Sequence, residues 1–332
     1  MAEKLEVRRQ IPPPANSAAS YRLQQQKMSI TPASSAKREA CQRKLQAQIF
    51  KGDEGAVQTM IDKGMAWDEG LCPTTYKETP LHAAIRANNQ GLAQKLLCVR
   101  NLMTVSNVYE EQPLHLACRM GQADLVQDML NRGADKNAED CEKCTPLFHA
   151  VSGGSASCAK LLIDAGCDLD ATNTELISPL DHALMYKDSA MIGLLLRAGC
   201  CTEKVQGHIY YRDHYANSFF FALWSGNCLE SMKLFLDCGY RVSKLEMSTL
   251  KETSQRLKHE KEAHDLLRDA TEQPFSLLSC CRQTIRRILM DKRRAEHTPL
   301  ETMVSGLNVP KGIKDYLLLK DRADSQPFSS MA

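Results

Sequence analysis

Along the middle of the chain, apolar residues fall three and four positions apart in short runs, and polar residues and glycine close each run. In "ADLVQDMLNRGAD", Leu125, Val126, Met129 and Leu130 share one helical face, and Gly133 supplies the stop. A shorter run precedes it in "PLHLACRM", and matching runs begin behind Thr79, Thr145 and Ser178. A hydroxyl at those three positions can cap a helix, and the proline that follows stands at the first helical position, where its missing N–H costs little. Each unit therefore predicts two short helices and a turn. One such pair leaves its apolar stripe bare, so neighbours must stack on it; the pattern predicts an all-α solenoid.

The prolines of four units, Pro80, Pro113, Pro146 and Pro179, are 33 residues apart in every case. That period, the hexapeptide Thr79-Pro80-Leu81-His82-Ala83-Ala84 and the trailing Gly133-Ala134-Asp135 together resemble the ankyrin repeat. About six repeats are expected over residues 43–244. The outermost two depart from the pattern, as end caps of a stack do. "LQAQIFKGDEGAVQTMIDKGMAWDE" lacks the Pro-Leu-His core, and the last unit begins 39 residues after Pro179, at Ser218. The resemblance implies that partners are met by the turn tips and the exposed positions of the first helix. By register these are Glu78, Arg86, Glu111, Arg119, Met120, Met185, Tyr186 and Trp224, a mixed set whose apolar share grows toward the C-terminal repeats. Such a set suits a protein or peptide better than a phosphate backbone. The inserted "GHIYYRDHY" adds Tyr210 and Tyr211 on an expected exposed loop.

Candidate chemistry within the array is thin. His82 and His115 recur at one repeat position, where an imidazole is expected to tie one repeat to the next, because a short buried turn must satisfy its own polar groups. Cys141 and Cys144 form a C-x-x-C, but no second pair or spaced histidines follow, and the motif falls on the turn between repeats. No nucleophile, base and orienting residue come together, so the expectation is a chain with no catalytic residues, no metal and no cofactor.

A different pattern appears in "PFSLLSCCRQTIRRIL". Leu277, Cys281 and Ile285 fall at i, i+4 and i+8, Ile288 and Leu289 extend the stripe, and Arg282, Arg286 and Arg287 are left on a solvated flank. A thiol within such a stripe behaves as a small hydrophobe. Further on, Pro310 is expected to open another helix with Ile313, Tyr316 and Leu317 on one face. Ser276, Leu277, Cys281 and Ile285 resemble the elongin-binding motif of the SOCS box, and "LNVPKGIKDYLLL" is similar to its cullin-binding motif, with Asn308 where the usual L-P-x-P has proline.

The resemblance implies a role: the chain is identified as a member of the ankyrin-repeat and SOCS-box family, with a small helical SOCS box at 274–320 behind the array. The box would recruit elongin B and elongin C through Leu277, Leu278, Cys281 and Ile285. It would recruit cullin-5 with its RING protein through Leu307, Val309, Pro310, Ile313, Tyr316 and Leu317. The array would then hold a protein substrate for ubiquitin transfer. The alternative is an adaptor that binds elongins but recruits cullin weakly because of Asn308.

Composition changes this picture little. The chain has 332 residues, 25% charged and 6% aromatic, and a formal net charge of +2, so its overall field does not point to nucleic acid or an acidic membrane. Six basic residues among 282–294 lack the aromatics and repeated base-reading positions of a nucleic-acid surface. Fourteen cysteines without an N-terminal apolar segment, or any stretch near the roughly 20 residues needed to span a bilayer, suggest reduced thiols in a cytoplasmic or nuclear protein. Residues 1–40 read as a disordered arm, 245–272 as a charged helical linker or cap, and 321–332 as a tail.

Overall fold

The structure is a computed structural model and describes residues 47–49, 51, 55, 59, 78–98, 102–201, 210–211, 214–215, 229–238, 268, 281, 284–286, 288–289, 292, 296 and 298–318. The expected N-terminal arm, the tail, and all of the 245–272 segment except residue 268 lie outside that set. Contacts fall into two compact units, Met1–Cys141 and Glu142–Ala332.

The first unit contains two helix pairs, α1 (Pro80–Arg86) with α2 (Gln90–Leu97), and α3 (Pro113–Met120) with α4 (Ala123–Asn131). α1 packs on α2 and α3, and α4 packs on α2 and α3. Thr79 accepts from the His82 N–H and Asn89 from the Leu92 N–H, so side chains occupy donors that the first turn of each helix leaves open. Leu81, Ile85, Leu92, Leu96, Leu114, Leu116, Leu125, Val126 and Met129 are buried, and Leu130, the fourth residue of the face expected for α4, is half-buried. Gly133, at φ 85°, ends the second pair in a left-handed conformation.

The second unit repeats this plan with α5 (Pro146–Ser152), α6 (Ala156–Asp164), α7 (Pro179–Met185) and α8 (Ser189–Ala198). A short antiparallel hairpin follows, β1 (Tyr210–Tyr211) with β2 (His214–Tyr215), pairing Tyr210 with Tyr215. The inserted segment, expected as a loop, thus carries the one strand pair among the described residues, and the fold is otherwise helical. α9 (Leu229–Asp237) packs against α8, burying Met232, Phe235 and Leu236. The described residues between 281 and 296 are helical, followed by α10 (Leu300–Ser305) and α11 (Lys311–Leu317). Leu289, Leu300, Val304, Leu317 and Leu318 form a small core, with Met303 and Leu307 packed against it. No helix among the described residues is long and apolar enough to cross a membrane.

Four departures from the sequence reading concern burial. Leu289, expected to extend the apolar stripe of Cys281 and Ile285, is buried instead, because it packs into the small core with Leu300, Val304 and Leu317. Arg286, expected on a solvated flank, is fully buried. Leu317, expected on a docking face, is 2% exposed, because it closes the small core. Glu78 and Glu111, expected as exposed contacts, are 5% and 6% exposed, because each carboxylate turns inward to meet an arginine eight residues on.

Candidate docking surfaces

The recurring histidines are structural. His82 Nε2 donates to the Glu111 carbonyl at 3.0 Å, and His115 Nε2 to the Ala138 carbonyl at 2.9 Å, so each ring reaches the turn that leads into the following repeat. The other ring nitrogen serves the helix start: the Thr79 hydroxyl meets His82 Nδ1 at 2.7 Å, and the Gln112 N–H donates to His115 Nδ1 at 3.0 Å. A neutral ring protonated on Nε2 satisfies both demands. Burial pushes the His82 pKa down to about 4, against the opposing pull of its bond to the Glu111 backbone. In the fourth motif-bearing unit Asp181 replaces the imidazole and accepts from the Ser178 N–H at 3.1 Å and its hydroxyl at 2.7 Å.

What the repeats present outward is more varied. Arg86 pairs with Glu78, and Arg119 with Glu111 at 2.6 Å, while the arginine side chains stay 43% and 36% exposed. The buried acids orient the guanidinium groups, leaving polar edges for a partner. The same register holds Cys144 and Ser152 one repeat later, so the pair is not continued. Cys144 of the C-x-x-C motif is buried, whereas Cys141 is exposed. Met120 is exposed in the first unit, and Leu176, Met185 and Tyr186 in the second. Tyr186 stacks on His182 with centroids 4.6 Å apart, and His182 meets Phe148 edge-on at 5.0 Å, so the exposed ring stands on a packed aromatic base. The side chains of Tyr210 and Tyr211, and the whole of Trp224, lie outside the described residues.

In the C-terminal segment Cys281, Ile285 and Ile288 are exposed on a helix whose Arg286 and Leu289 are buried. Ile288 is 60% exposed, an apolar side chain left in water where the same helix has already buried another face. Leu277 and Leu278 lie outside the described residues. Beyond α10, the Val309 N–H donates to the Leu307 carbonyl at 2.9 Å, closing a tight turn around exposed Asn308. Pro310 then stands at the N-terminus of α11. Ile313 is 45% exposed on that helix, Pro310 is also exposed, and Leu307, Val309 and Tyr316 are half-buried.

Signals for the buried acids and for Arg286 were weak in the sequence. The Glu–Arg spacing of eight recurs after 33 residues, so the repeat register could have flagged it. Arg286 could not be separated from its arginine neighbours by periodicity alone.

Comparison with known proteins finds a family for each of the two regions. The family described as "Ankyrin repeats (3 copies)" matches residues 45–140 and 114–205, and the family described as "SOCS box" matches residues 273–318. No curated protein matches the chain. With stacked helix pairs in a 33-residue register and a small helical box bearing an exposed apolar stripe behind them, the chain belongs to the ankyrin-repeat and SOCS-box family.

Proposed function

We propose that the chain is the substrate-recognition subunit of an elongin B/C–cullin-5–RING ubiquitin ligase. The observation that carries this reading is the exposed stripe of Cys281, Ile285 and Ile288 on a box that has its own small core. A stripe of this kind is the form of a helix that lays apolar anchors against a partner. Leu277 and Leu278 extend the motif toward elongin C, while Leu307, Val309, Pro310, Ile313 and Tyr316 form the cullin side and Leu317 holds it from within. Arg86, Arg119, Met120, Met185 and Tyr186, with Tyr210, Tyr211 and Trp224, receive the substrate; Glu78 and Glu111 orient the two arginines. The chain contributes no reacting group. Its part in the reaction is positional: it raises the concentration of a substrate lysine near a charged ubiquitin carrier.

Ile285→Asp places a charge on the stripe without touching the small core. Loss of elongin B/C binding by at least about 100-fold, with the thermal transition unchanged, is expected from charging one desolvated anchor. Undiminished binding would show that elongins dock elsewhere, and the receptor reading would fail with it.

A further inference from the structure

In the first unit one chemical arrangement occurs twice. Glu78 precedes α1 and Arg86 ends it; Glu111 and Arg119 hold the corresponding places, 33 residues on, before α3 and in its last turn. Both acids are buried, whereas both arginine side chains keep a large part of their surface in water. Arg86 donates through Nη2 to Glu78 Oε1, and Arg119 donates through Nη1 to Glu111 Oε1 at 2.6 Å. The second oxygen of Glu111 accepts from Asn107 Nδ2 at 2.8 Å, and Asn107 Oδ1 accepts from the Glu111 N–H at 3.1 Å. The Glu111 carboxylate is therefore fixed from beneath, and it fixes the guanidinium above it.

The fold itself does not call for these pairs. At the same register the next two repeats carry Cys144 with Ser152 and Ile177 with Met185, and α5 and α7 form without an ion pair there. Stability is a poor reason as well, because desolvating a carboxylate cancels much of what its pairing returns. What the pairs supply is two oriented guanidinium forks. α1 packs against α3, which sets the forks about 8–10 Å apart, one helix spacing. A guanidinium carries five N–H donors in one plane, and among the described residues a single nitrogen of each is bonded to its acid. The remaining edge suits a second carboxylate in the two-pronged geometry that an ammonium lacks. Next to Arg119, Met120 is exposed and offers an apolar contact.

We propose that the forks of Arg86 and Arg119 form a docking site for an acidic peptide segment, two of whose carboxylates each lie across one guanidinium while a neighbouring apolar side chain meets Met120. Exposed Glu110, on the turn before α3, is a like charge to such a ligand, so the acidic pair lies toward the ends of α1 and α3 and not over that turn. Because the guanidinium groups are already held, little side-chain freedom is lost when the peptide arrives. That the segment belongs to a substrate rests on the receptor reading above; the docking itself does not.

Fluorescence anisotropy on the full chain tests this with labelled peptides of about 12 residues that carry one leucine and two glutamates, roughly two, four or seven positions apart, each beside a twin with glutamine at both places. The expected result is at least one spacing that binds about tenfold tighter than its glutamine twin, with the preference shrinking as salt rises from about 0.05 to 0.3 M. Arg86→Gln and Arg119→Gln should each weaken that peptide about tenfold. Those changes leave a buried acid without its partner, so the double variant Arg86→Lys, Arg119→Lys is measured too. It keeps both ion pairs, and should still lose about tenfold because an ammonium has no second edge. Equal behaviour of the glutamate and glutamine peptides at every spacing, including no binding by either up to about 1 mM, overturns the proposal. Full affinity in the double lysine variant overturns it as well, since any cation would then serve. Elongin B/C binding is followed on the same samples. Its absence beside an intact glutamate preference defeats the receptor reading and leaves the docking site standing; intact elongin binding without that preference defeats the site alone.

Discussion

The repeats and the C-terminal box satisfy their polar groups in different ways. In the repeats, most helix starts are served from three residues away, as at Thr79, Asn89, Ser155 and Ser178, and the imidazoles of His82 and His115 reach carbonyls 29 and 23 residues on, so similar bonds recur from unit to unit. In the box, one buried arginine serves two helix ends, and its array partner lies 90 residues back. The array therefore spreads its stability over many short-range contacts, as nearest-neighbour stacks do. The box, with five buried apolar residues in its core among the described residues, concentrates it. A single loss should be local and graded in the first region and close to all-or-none in the second.

The largest effect should come from the box core. Leu317→Ala removes buried volume from a cluster too small to repack and should cost about 3 kcal/mol locally. Hydrogen exchange in α10 and α11 should rise to that of an unfolded segment, while α3 and α4 keep their protection. Equal loss in α3 and α4 would break the contrast between the regions.

A slightly smaller effect tests the array side. His82 is neutral when folded, with a pKa of about 4 against an ordinary value of 6.5. Protonation thus favours the unfolded chain: the stability tied to the neutral ring is complete above pH 6.5 and is lost as pH falls toward 4. The lowered value corresponds to about 3 kcal/mol over that window, an upper bound once the rest of the array shares the strain. Urea midpoints measured from pH 7.5 to 4.5 should therefore fall more steeply for the parent than for His82→Gln. Parallel slopes would mean that the ring is not desolvated as its burial implies.

The difference between the regions also explains how much could be read from the chain. Periodicity exposes whatever repeats: the capping positions at Thr79, Thr145 and Ser178, the buried faces of α2, α4, α6 and α8, and the histidine tether all follow from the 33-residue register. The left-handed residues follow the same register, at Asn88, Gly121, Gly154 and Lys187, although only two of the four are glycine. Composition would have missed Lys187 there. The exposed apolar stripe was legible from helical spacing at Cys281, Ile285 and Ile288. What stayed illegible was decided by single long-range contacts. Arg286 is buried because two helix ends converge on it, and Glu78 and Glu111 because their arginines draw them inward; neither cause is visible in a local hydrophobic pattern.

The smallest effect concerns Asn308, the residue that departs from the cullin-binding pattern. The turn around it is closed by the Val309 N–H on the Leu307 carbonyl, a bond that uses no atom of Asn308, so proline can enter without removing it. Asn308→Pro should then act by narrowing the unfolded ensemble of the turn, stabilising it by about 0.7 kcal/mol and tightening cullin-5 binding by the elongin-bound chain about threefold. Titrations of cullin-5 with its RING protein onto the two complexes measure this directly. A gain well above tenfold would mean that asparagine leaves the turn largely unformed, favouring an elongin-binding adaptor over a ligase receptor. No gain would mean that the Leu307–Val309 bond already forms the turn fully, and that proline in the family pattern is only one of two ways to build it.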